Sequence, residues 1–175
     1  MRRGYKNRKY ISGFTLLEIL IVIGIIALLA GMLLPVLAGA RKYAWRVRAR
    51  SDLHQIVTAW KNYLTDYRQF PDIDITVVYS NVVSILRGVH TNYNNQHYKY
   101  MEFTTEQITN GFRDPWKSYY RVALDNGKGD DTVAYDGYVT VPGGGGTNKI
   151  KIATSVAAWS LGPDSLDNTG DEIKT

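Results

Sequence analysis

A long apolar run dominates the first quarter of the chain. Glu18 is the only charged residue between Phe14 and Ala40. As an α-helix, residues 14–34 alone would rise about 31 Å, which matches the ~30 Å hydrocarbon thickness of a bilayer. A cleavable secretory signal has a shorter apolar stretch, of about 7 to 15 residues. The pattern therefore predicts a transmembrane helix within residues 14–40.

The helical pattern continues beyond this run in an amphipathic form. Apolar residues recur every three to four positions, which places them on one face of a helix. They are Ala49, Leu53, Ile56, Trp60, Tyr63, Leu64 and Tyr67. No proline interrupts residues 36–70. We therefore predict a nearly continuous helix from about residue 14 to residue 69, whose second half packs against a globular domain.

Strand patterns occupy the last third of the chain. Residues 118–124, 131–141 and 149–161 are rich in β-branched and aromatic residues, and glycine-containing turns separate them. Their order predicts a three-stranded antiparallel meander laid against the helix. Before these strands, residues 81–87 predict a short helix, and the asparagine-rich residues 91–98 predict a surface loop.

This order of elements predicts an α+β fold, in which a long N-terminal helix packs on a small C-terminal antiparallel sheet. Four parts follow from the pattern. They are a basic leader at residues 1–13, a transmembrane segment at 14–40, an amphipathic continuation of the helix at 41–69, and a globular head at 70–175.

Charge is distributed unevenly along the chain. The net charge is +5 and the pI is about 9.3, values that usually indicate a polyanionic partner. However, residues 1–13 hold five cations and no acid, residues 41–50 hold five more cations, and residues 51–175 carry a net charge of −4. The basic pI therefore belongs to two short segments and says little about the partners of the head.

The second basic segment, RKYAWRVRAR at residues 41–50, directly follows the apolar run. Its cations alternate with Tyr43 and Trp45, which suits the headgroup level of a membrane or the backbone of a nucleic acid. We expect contact with phospholipid and consider nucleic acid the less favoured partner. The cations concerned are Arg41, Lys42, Arg46, Arg48 and Arg50.

The chain contains no cysteine, which excludes a disulfide framework, a thiolate nucleophile and a cysteine-ligated metal site. Its three histidines show no metal-binding spacing, and no motif brings Ser, His and Asp together. We therefore predict that the protein is not an enzyme.

The N-terminal region carries a specific combination of residues. In KYISGFTLLEILIVIGIIALLAGMLLP, residues 9–35, a basic leader ends in glycine, phenylalanine follows, glutamate comes four residues later, and proline lies near the end. This string resembles the N-terminal signal of type IV pilins and type II secretion pseudopilins. The resemblance implies cleavage by prepilin peptidase after Gly13, N-methylation of Phe14, and roles in assembly for Glu18 and Pro35. It also implies as partners other copies of the chain, other pseudopilins and an inner-membrane assembly platform.

The physical chemistry of these residues agrees with the implied roles. A carboxylate in an apolar span costs about 2.5 to 3.5 kcal/mol on insertion scales, and the cleaved Phe14 amine of a neighbouring subunit offsets that cost at Glu18. Gly13 resists helix formation and so keeps the cleavage site extended. Pro35 lacks a backbone donor, so we expect a kink or local melting near residues 31–35.

The C-terminal segment SLGPDSLDNTGDE, residues 160–172, concentrates the oxygen ligands that Ca²⁺ prefers. It resembles the C-terminal calcium loop of major pseudopilins. The resemblance implies side-chain ligands at Asp164, Asp167 and Asp171 and a backbone ligand at Leu161. The alternative is a solvated acidic turn without a metal.

The segment before the first predicted strand carries another resemblance. DPWKSYY, residues 114–120, resembles the DPWG-x-PY segment of major pseudopilins. Lys117 stands at the position of the glycine, and the second proline is absent.

Two functions follow from these patterns. The first is a structural subunit of a type IV pilus-like or type II secretion pseudopilus filament, cleaved after Gly13 and polymerised through its N-terminal helix. The alternative is a membrane-tethered extracytoplasmic module that shares the signal but binds a ligand or DNA. In both cases the leader faces the cytoplasmic peptidase, which places the N-terminus in the cytoplasm and the C-terminal domain outside the inner membrane.

Overall fold

The computed structural model describes residues 14–128, 132–143, 149–166 and 173–174, so the predicted leader with Gly13 lies outside the described residues. The chain divides into two units, residues 1–43 and 44–175, and each is described by itself. The helices are α1 Leu16–Tyr67, α2 Ser80–Leu86 and α3 Thr105–Asn110. The strands are β1 Arg121–Leu124, β2 Val139–Pro142, β3 Lys149–Ile152, β4 Val156–Ser160 and β5 Ile173–Lys174.

Helix α1 confirms the predicted N-terminal helix, and each of its ends lies two residues inside the predicted one. Its backbone is helical through residues 31–35, without the local melting that Pro35 would permit. Among the described residues, α1 is the one helix long and apolar enough to cross a membrane. The described apolar side chains of its first half are exposed, with Leu16 at 86% and Leu33 at 66%. Such a surface requires lipid or other helices to cover it.

The second half of α1 forms the centre of the core of the second unit. The predicted apolar face is confirmed, because its first five members are buried and the last two pack at the edge of the core. The indole ring of Trp60 contacts the rings of Tyr63 and Phe70, with centroids 5.4 and 6.3 Å apart. Helix α1 therefore contributes the largest fully buried side chain of the described residues.

The strands form two antiparallel sheets, and the predicted three-stranded meander is wrong. Strand β1 pairs with β4, β4 also pairs with β5, and β2 pairs with β3. The predicted strand at residues 149–161 is divided by a bend at residues 153–155. There the Thr154 amide donates to the Ile152 carbonyl at 2.9 Å. This bend lets β3 stay beside β2 while β4 pairs with β1.

Strand β4 lies between the two hydrophobic cores of the head. It is buried along its whole length. Val156 and Ala158 join the core around α1, whereas Ala157 and Trp159 pack with the β2–β3 sheet. Because alternate residues of a strand point to opposite faces, one strand serves both cores.

The asparagine-rich loop at residues 91–98 is a surface loop as predicted, with six of its eight residues exposed, but one of its asparagines is buried; α2 confirms the short helix before it. Asn94 is fully buried, and its side-chain amide donates to the carbonyls of Ile85 and Tyr98, each at 2.7 Å. Its Oδ1 accepts from the Tyr67 hydroxyl at 2.9 Å and from the Tyr98 amide at 3.0 Å. The loop is therefore anchored to α1 and α2.

Candidate functional site

A capping box that the sequence analysis missed begins α1. Glu18 Oε2 accepts from the Thr15 amide and from the Thr15 hydroxyl, both at 2.8 Å, and Thr15 Oγ1 accepts from the Glu18 amide at 3.2 Å. The pattern TLLE at residues 15–18 is the Thr-x-x-Glu signature of such a cap. The cap holds the Glu18 carboxylate in the first turn of the helix, close along the chain to Phe14, which is 80% exposed.

The apolar segment contains glycines that no packing contact among the described residues explains. A Cβ added at Gly24, Gly31 or Gly39 would meet no described atom within 4 Å outside the adjacent backbone of its own helix. Glycine in a helix interior costs about 1 kcal/mol relative to alanine, so these positions weaken α1. Small residues let membrane helices approach one another closely. The segment therefore offers positions for contact with other helices along its length.

The basic segment presents its cations outward. All five residues predicted to contact phospholipid or nucleic acid are exposed, namely Arg41, Lys42, Arg46, Arg48 and Arg50. Arg48 Nε lies 3.9 Å from Asp52 Oδ2, with the arginine side chain exposed and the aspartate side chain largely covered. The ring of Trp45 meets the ring of Trp116 edge to face, with centroids 6.2 Å apart. Trp45 therefore packs on the head.

A partly buried hydrogen bond lies one turn beyond Arg48. The Tyr120 hydroxyl donates to Asp52 Oδ2 at 2.7 Å, and Tyr120 is fully buried. Burial raises the pKa of Asp52, against the opposing effects of the Tyr120 hydrogen bond and the Arg48 charge. Burial is the main cause that raises the pKa of Tyr120 well above its usual range, and the neighbouring Asp52 raises it further. Tyr120 therefore keeps its proton and acts as the donor.

Asp114 ties the DPW segment to the beginning of the C-terminal loop. Its Oδ1 accepts from the amides of Trp116 and Ser118 at 3.0 and 2.9 Å, and its Oδ2 accepts from the Ser160 hydroxyl at 2.6 Å. Burial raises the pKa of this carboxyl group, although the four hydrogen bonds from Ser160, Ser118, Trp116 and Lys117 oppose the rise. The aspartate of the DPW segment thus has a structural role that the sequence did not reveal.

The structure describes two of the four residues implied to bind calcium. Asp164 is exposed, and its Oδ1 accepts from the Leu166 amide at 2.9 Å. Leu161 is buried. Asp167 and Asp171 lie outside the described residues. In the part of the chain that is described, no three His, Asp or Glu side chains are grouped so that they could hold a metal ion.

Known proteins share both the signal and further parts of the chain. Residues 8–34 match the family model of the prokaryotic N-terminal methylation motif. The type II secretion system core protein G of Pectobacterium carotovorum subsp. carotovorum is 38% identical over 71 residues, 41% of this chain and 43% of that protein. The type IV wide pilus major component of Thermus thermophilus is 40% identical over 75 residues, 43% and 51% of the two chains. The core protein G of Escherichia coli strain K12 is 32% identical over 108 residues, 62% and 68% of the two chains.

No solved structure matches the chain significantly. The chain spans about half the length of the first two relatives and just over two thirds of the third. The methylation motif, the exposed apolar helix and the α+β head define a prepilin-type protein. The chain belongs to the family of type IV pilins and type II secretion system core proteins G.

Proposed function

We propose that the protein is a structural subunit of a filament, either a type IV pilus-like fibre or a type II secretion pseudopilus, and that it has no catalytic role. The observation that carries the proposal is the apolar first half of α1, whose described side chains are exposed and whose glycines leave open space on the helix surface among the described residues. A simple lipid anchor needs neither these glycines nor a carboxylate, whereas packing between membrane helices uses both small and polar residues.

Assembly buries this segment among the helices of other copies. Cleavage after Gly13 creates an ammonium group at Phe14, and a carboxylate has room for more than the two hydrogen bonds that Thr15 donates to Glu18. The Phe14 amine of one copy pairs with Glu18 of its neighbour, which offsets the desolvation of both charges. Pro35 lacks the donor for one helical hydrogen bond, so the helix can bend at this point as it packs against its neighbours.

The topology of the subunit follows from its processing. The leader faces prepilin peptidase in the cytoplasm, the first half of α1 crosses the inner membrane, and the head lies outside. The basic segment contacts phospholipid headgroups on the far side of the span. Other pseudopilins and the inner-membrane assembly platform are the further partners. Nucleic acid is not a partner in this proposal, because residues 51–175 carry a net charge of −4.

The intact mass of the membrane-extracted protein tests the processing step. In a host with active prepilin peptidase, we expect a chain that lacks residues 1–13 and carries one added methyl group at Phe14. In a host without the peptidase, the same protein should keep residues 1–13 and lack the added methyl group. A chain that keeps residues 1–13 in the peptidase-positive host would contradict the proposal.

We also propose that the C-terminal loop binds Ca²⁺ through Asp164, Asp167, Asp171 and the Leu161 carbonyl. Supporting this, Leu161 directly follows Ser160, which Asp114 holds in place, so the loop begins at a fixed point. An ion that binds only the folded state at 100 times its Kd adds about 2.7 kcal/mol of stability.

The unfolding temperature of the full chain in non-ionic micelles tests this calcium site. We expect a higher unfolding temperature in millimolar calcium than in chelator, and no such rise for the double variant Asp167→Asn, Asp171→Asn. Equal unfolding temperatures of the natural chain in calcium and in chelator would show that the loop is a solvated turn.

A further inference from the structure

A cleft of about 530 Å³ lies between α3, the DPW segment and the second half of α1. Three cations from separate positions line it, namely Arg48, Arg113 and Lys117. The side-chain amides of Gln107 and Asn110 line it as well and add neutral donors. The cleft therefore has the lining of a site for an oxyanion.

Lys117 adopts a backbone conformation that is unfavourable for lysine. Its φ is +76°, in the left-handed region, where a side chain costs about 1 to 2 kcal/mol relative to glycine. The turn itself needs only the backbone of this residue, because the Lys117 amide donates to the Asp114 carbonyl at 3.0 Å. The exposed side chain is not required for packing. Strain of this kind concentrates at functional sites, and here it places an ammonium group at the cleft.

The Arg113 guanidinium is held in a fixed orientation. Its Nη1 donates to the Lys117 carbonyl at 2.8 Å, and its Nη2 donates to the Tyr119 hydroxyl. Its Cζ also lies 3.9 Å from the centroid of the Tyr119 ring. A guanidinium has five N–H donors, so most of them stay available to a ligand. An arginine held in this way loses little further freedom when it binds an anion.

The two carboxylates at the cleft do not neutralise these cations directly. Both Asp114 oxygens accept hydrogen bonds from Ser160, Trp116 and Ser118, and Glu106 is exposed on α3. Among the described residues, neither Arg113 nor Lys117 forms an ion pair with an acid. Arg48 already has Asp52 within 3.9 Å, so Arg113 and Lys117 are the two cations that the cleft offers to an anion.

We propose that this cleft binds a phosphate group, either in the headgroup of an anionic phospholipid or as free phosphate. A planar guanidinium can donate two parallel hydrogen bonds to phosphate oxygens, and a lysine ammonium group nearby adds a compact positive charge. Arg48 follows the last residue of the apolar run, Ala40, by only eight positions, which favours the lipid as the source. This site extends the contact of the basic segment with lipid to residues of the head, and it does not depend on polymerisation.

Native mass spectrometry of the full chain, released from uncharged detergent micelles, tests the proposal with three probes. They are dihexanoylphosphatidylglycerol, inorganic phosphate, and dihexanoylglycerol, which lacks the phosphate. We expect Lys117→Gly and Arg113→Gln each to weaken binding of the phosphate-containing probe about tenfold or more, as for loss of one charged hydrogen bond. Lys61→Gln removes an exposed lysine that does not line the cleft and should change binding less than about twofold.

The Lys117→Gly variant separates binding from folding, because glycine relieves the left-handed strain. We expect it to unfold at the same temperature as the natural chain or higher. Preferential binding of the phospholipid identifies a headgroup site, and comparable binding of inorganic phosphate identifies a free-phosphate site. The proposal would be overturned if Lys117→Gly bound the phosphate-containing probe as well as the natural chain does. It would also be overturned if Lys61→Gln lost as much binding as the cleft variants, or if the natural chain retained dihexanoylglycerol as well as the phospholipid.

Discussion

Replacing Glu18 by glutamine is expected to reduce the assembled filament at least tenfold, while the amount of subunit in the membrane stays the same. Glutamine can still complete the capping box with Thr15, so the beginning of α1 is preserved. It cannot form the ion pair with the Phe14 amine of a neighbour, and hydrogen bonds to charged groups contribute about 1.5 to 3 kcal/mol. Each 1.4 kcal/mol corresponds to about a tenfold change in the equilibrium. The measurement is the subunit in the sheared surface fraction of cells that overproduce the chain.

The variant Thr15→Ala is the matched control for Glu18→Gln. It removes the hydroxyl that bonds to Glu18 but keeps the carboxylate, so we expect assembly to decrease much less. If Thr15→Ala abolished assembly and Glu18→Gln did not, the role of Glu18 would be to cap its own helix and not to pair with a neighbour.

Replacing Trp60 by alanine is expected to lower the free energy of unfolding of the head by about 3 to 5 kcal/mol. Trp60 is fully buried between the rings of Tyr63 and Phe70, and its removal leaves a cavity at the contact of α1 with the head. A loss of this size is comparable with the whole stability of a small domain. Urea unfolding of the full chain in non-ionic micelles, followed by circular dichroism, measures it.

Two further variants sharpen the Trp60 prediction. His54 is exposed on the same helix, so His54→Ala should change the free energy of unfolding by less than about 0.5 kcal/mol. The indole Nε1 of Trp60 is buried without a hydrogen-bond partner among the described residues. Trp60→Phe removes this group and leaves a smaller cavity, so it should cost less than Trp60→Ala. A loss below about 1 kcal/mol for Trp60→Ala would show that α1 is not the centre of the core.

The helical part of the fold was predictable because its signal is local. The 3-to-4 spacing from Ala49 to Tyr67 depends only on the geometry of one helix, and the structure buries that face. The capping box of Thr15 and Glu18 is equally local and was readable from TLLE. The resemblance implied a role in assembly for Glu18, and its contact with Thr15 was not predicted.

The sheet order and the buried polar contacts were not predictable in the same way. Residues 149–161 carry one uninterrupted strand pattern without glycine or proline, and only tertiary pairing decides that β3 joins β2 while β4 joins β1. Asn94 looks like a loop residue, yet four hydrogen bonds hold it in the interior. The cleft with Arg48, Arg113 and Lys117 joins residues that are almost 70 positions apart in the sequence.

Cysteine cross-linking of the apolar segment tests most directly whether the chain polymerises through its N-terminal helix. The chain has no cysteine, so Val22→Cys and Leu28→Cys introduce the only two thiols. Six residues of helix separate them by about 9 Å of rise, which prevents a disulfide within one chain. Pairing of Phe14 with Glu18 staggers neighbouring helices by about four residues, so Val22 of one copy lies level with residue 26 of the next and only about 3 Å of helical rise from its Leu28.

After oxidation of the membranes, the double variant should give a ladder of dimers, trimers and higher multimers on a non-reducing gel. The single variant Val22→Cys should give dimers at most. A ladder in the double variant is the result that the filament account predicts. If the double variant, cleaved and present in the membrane, gave only monomers and dimers, the chain would not polymerise through this helix and the tethered binding module would be the better account.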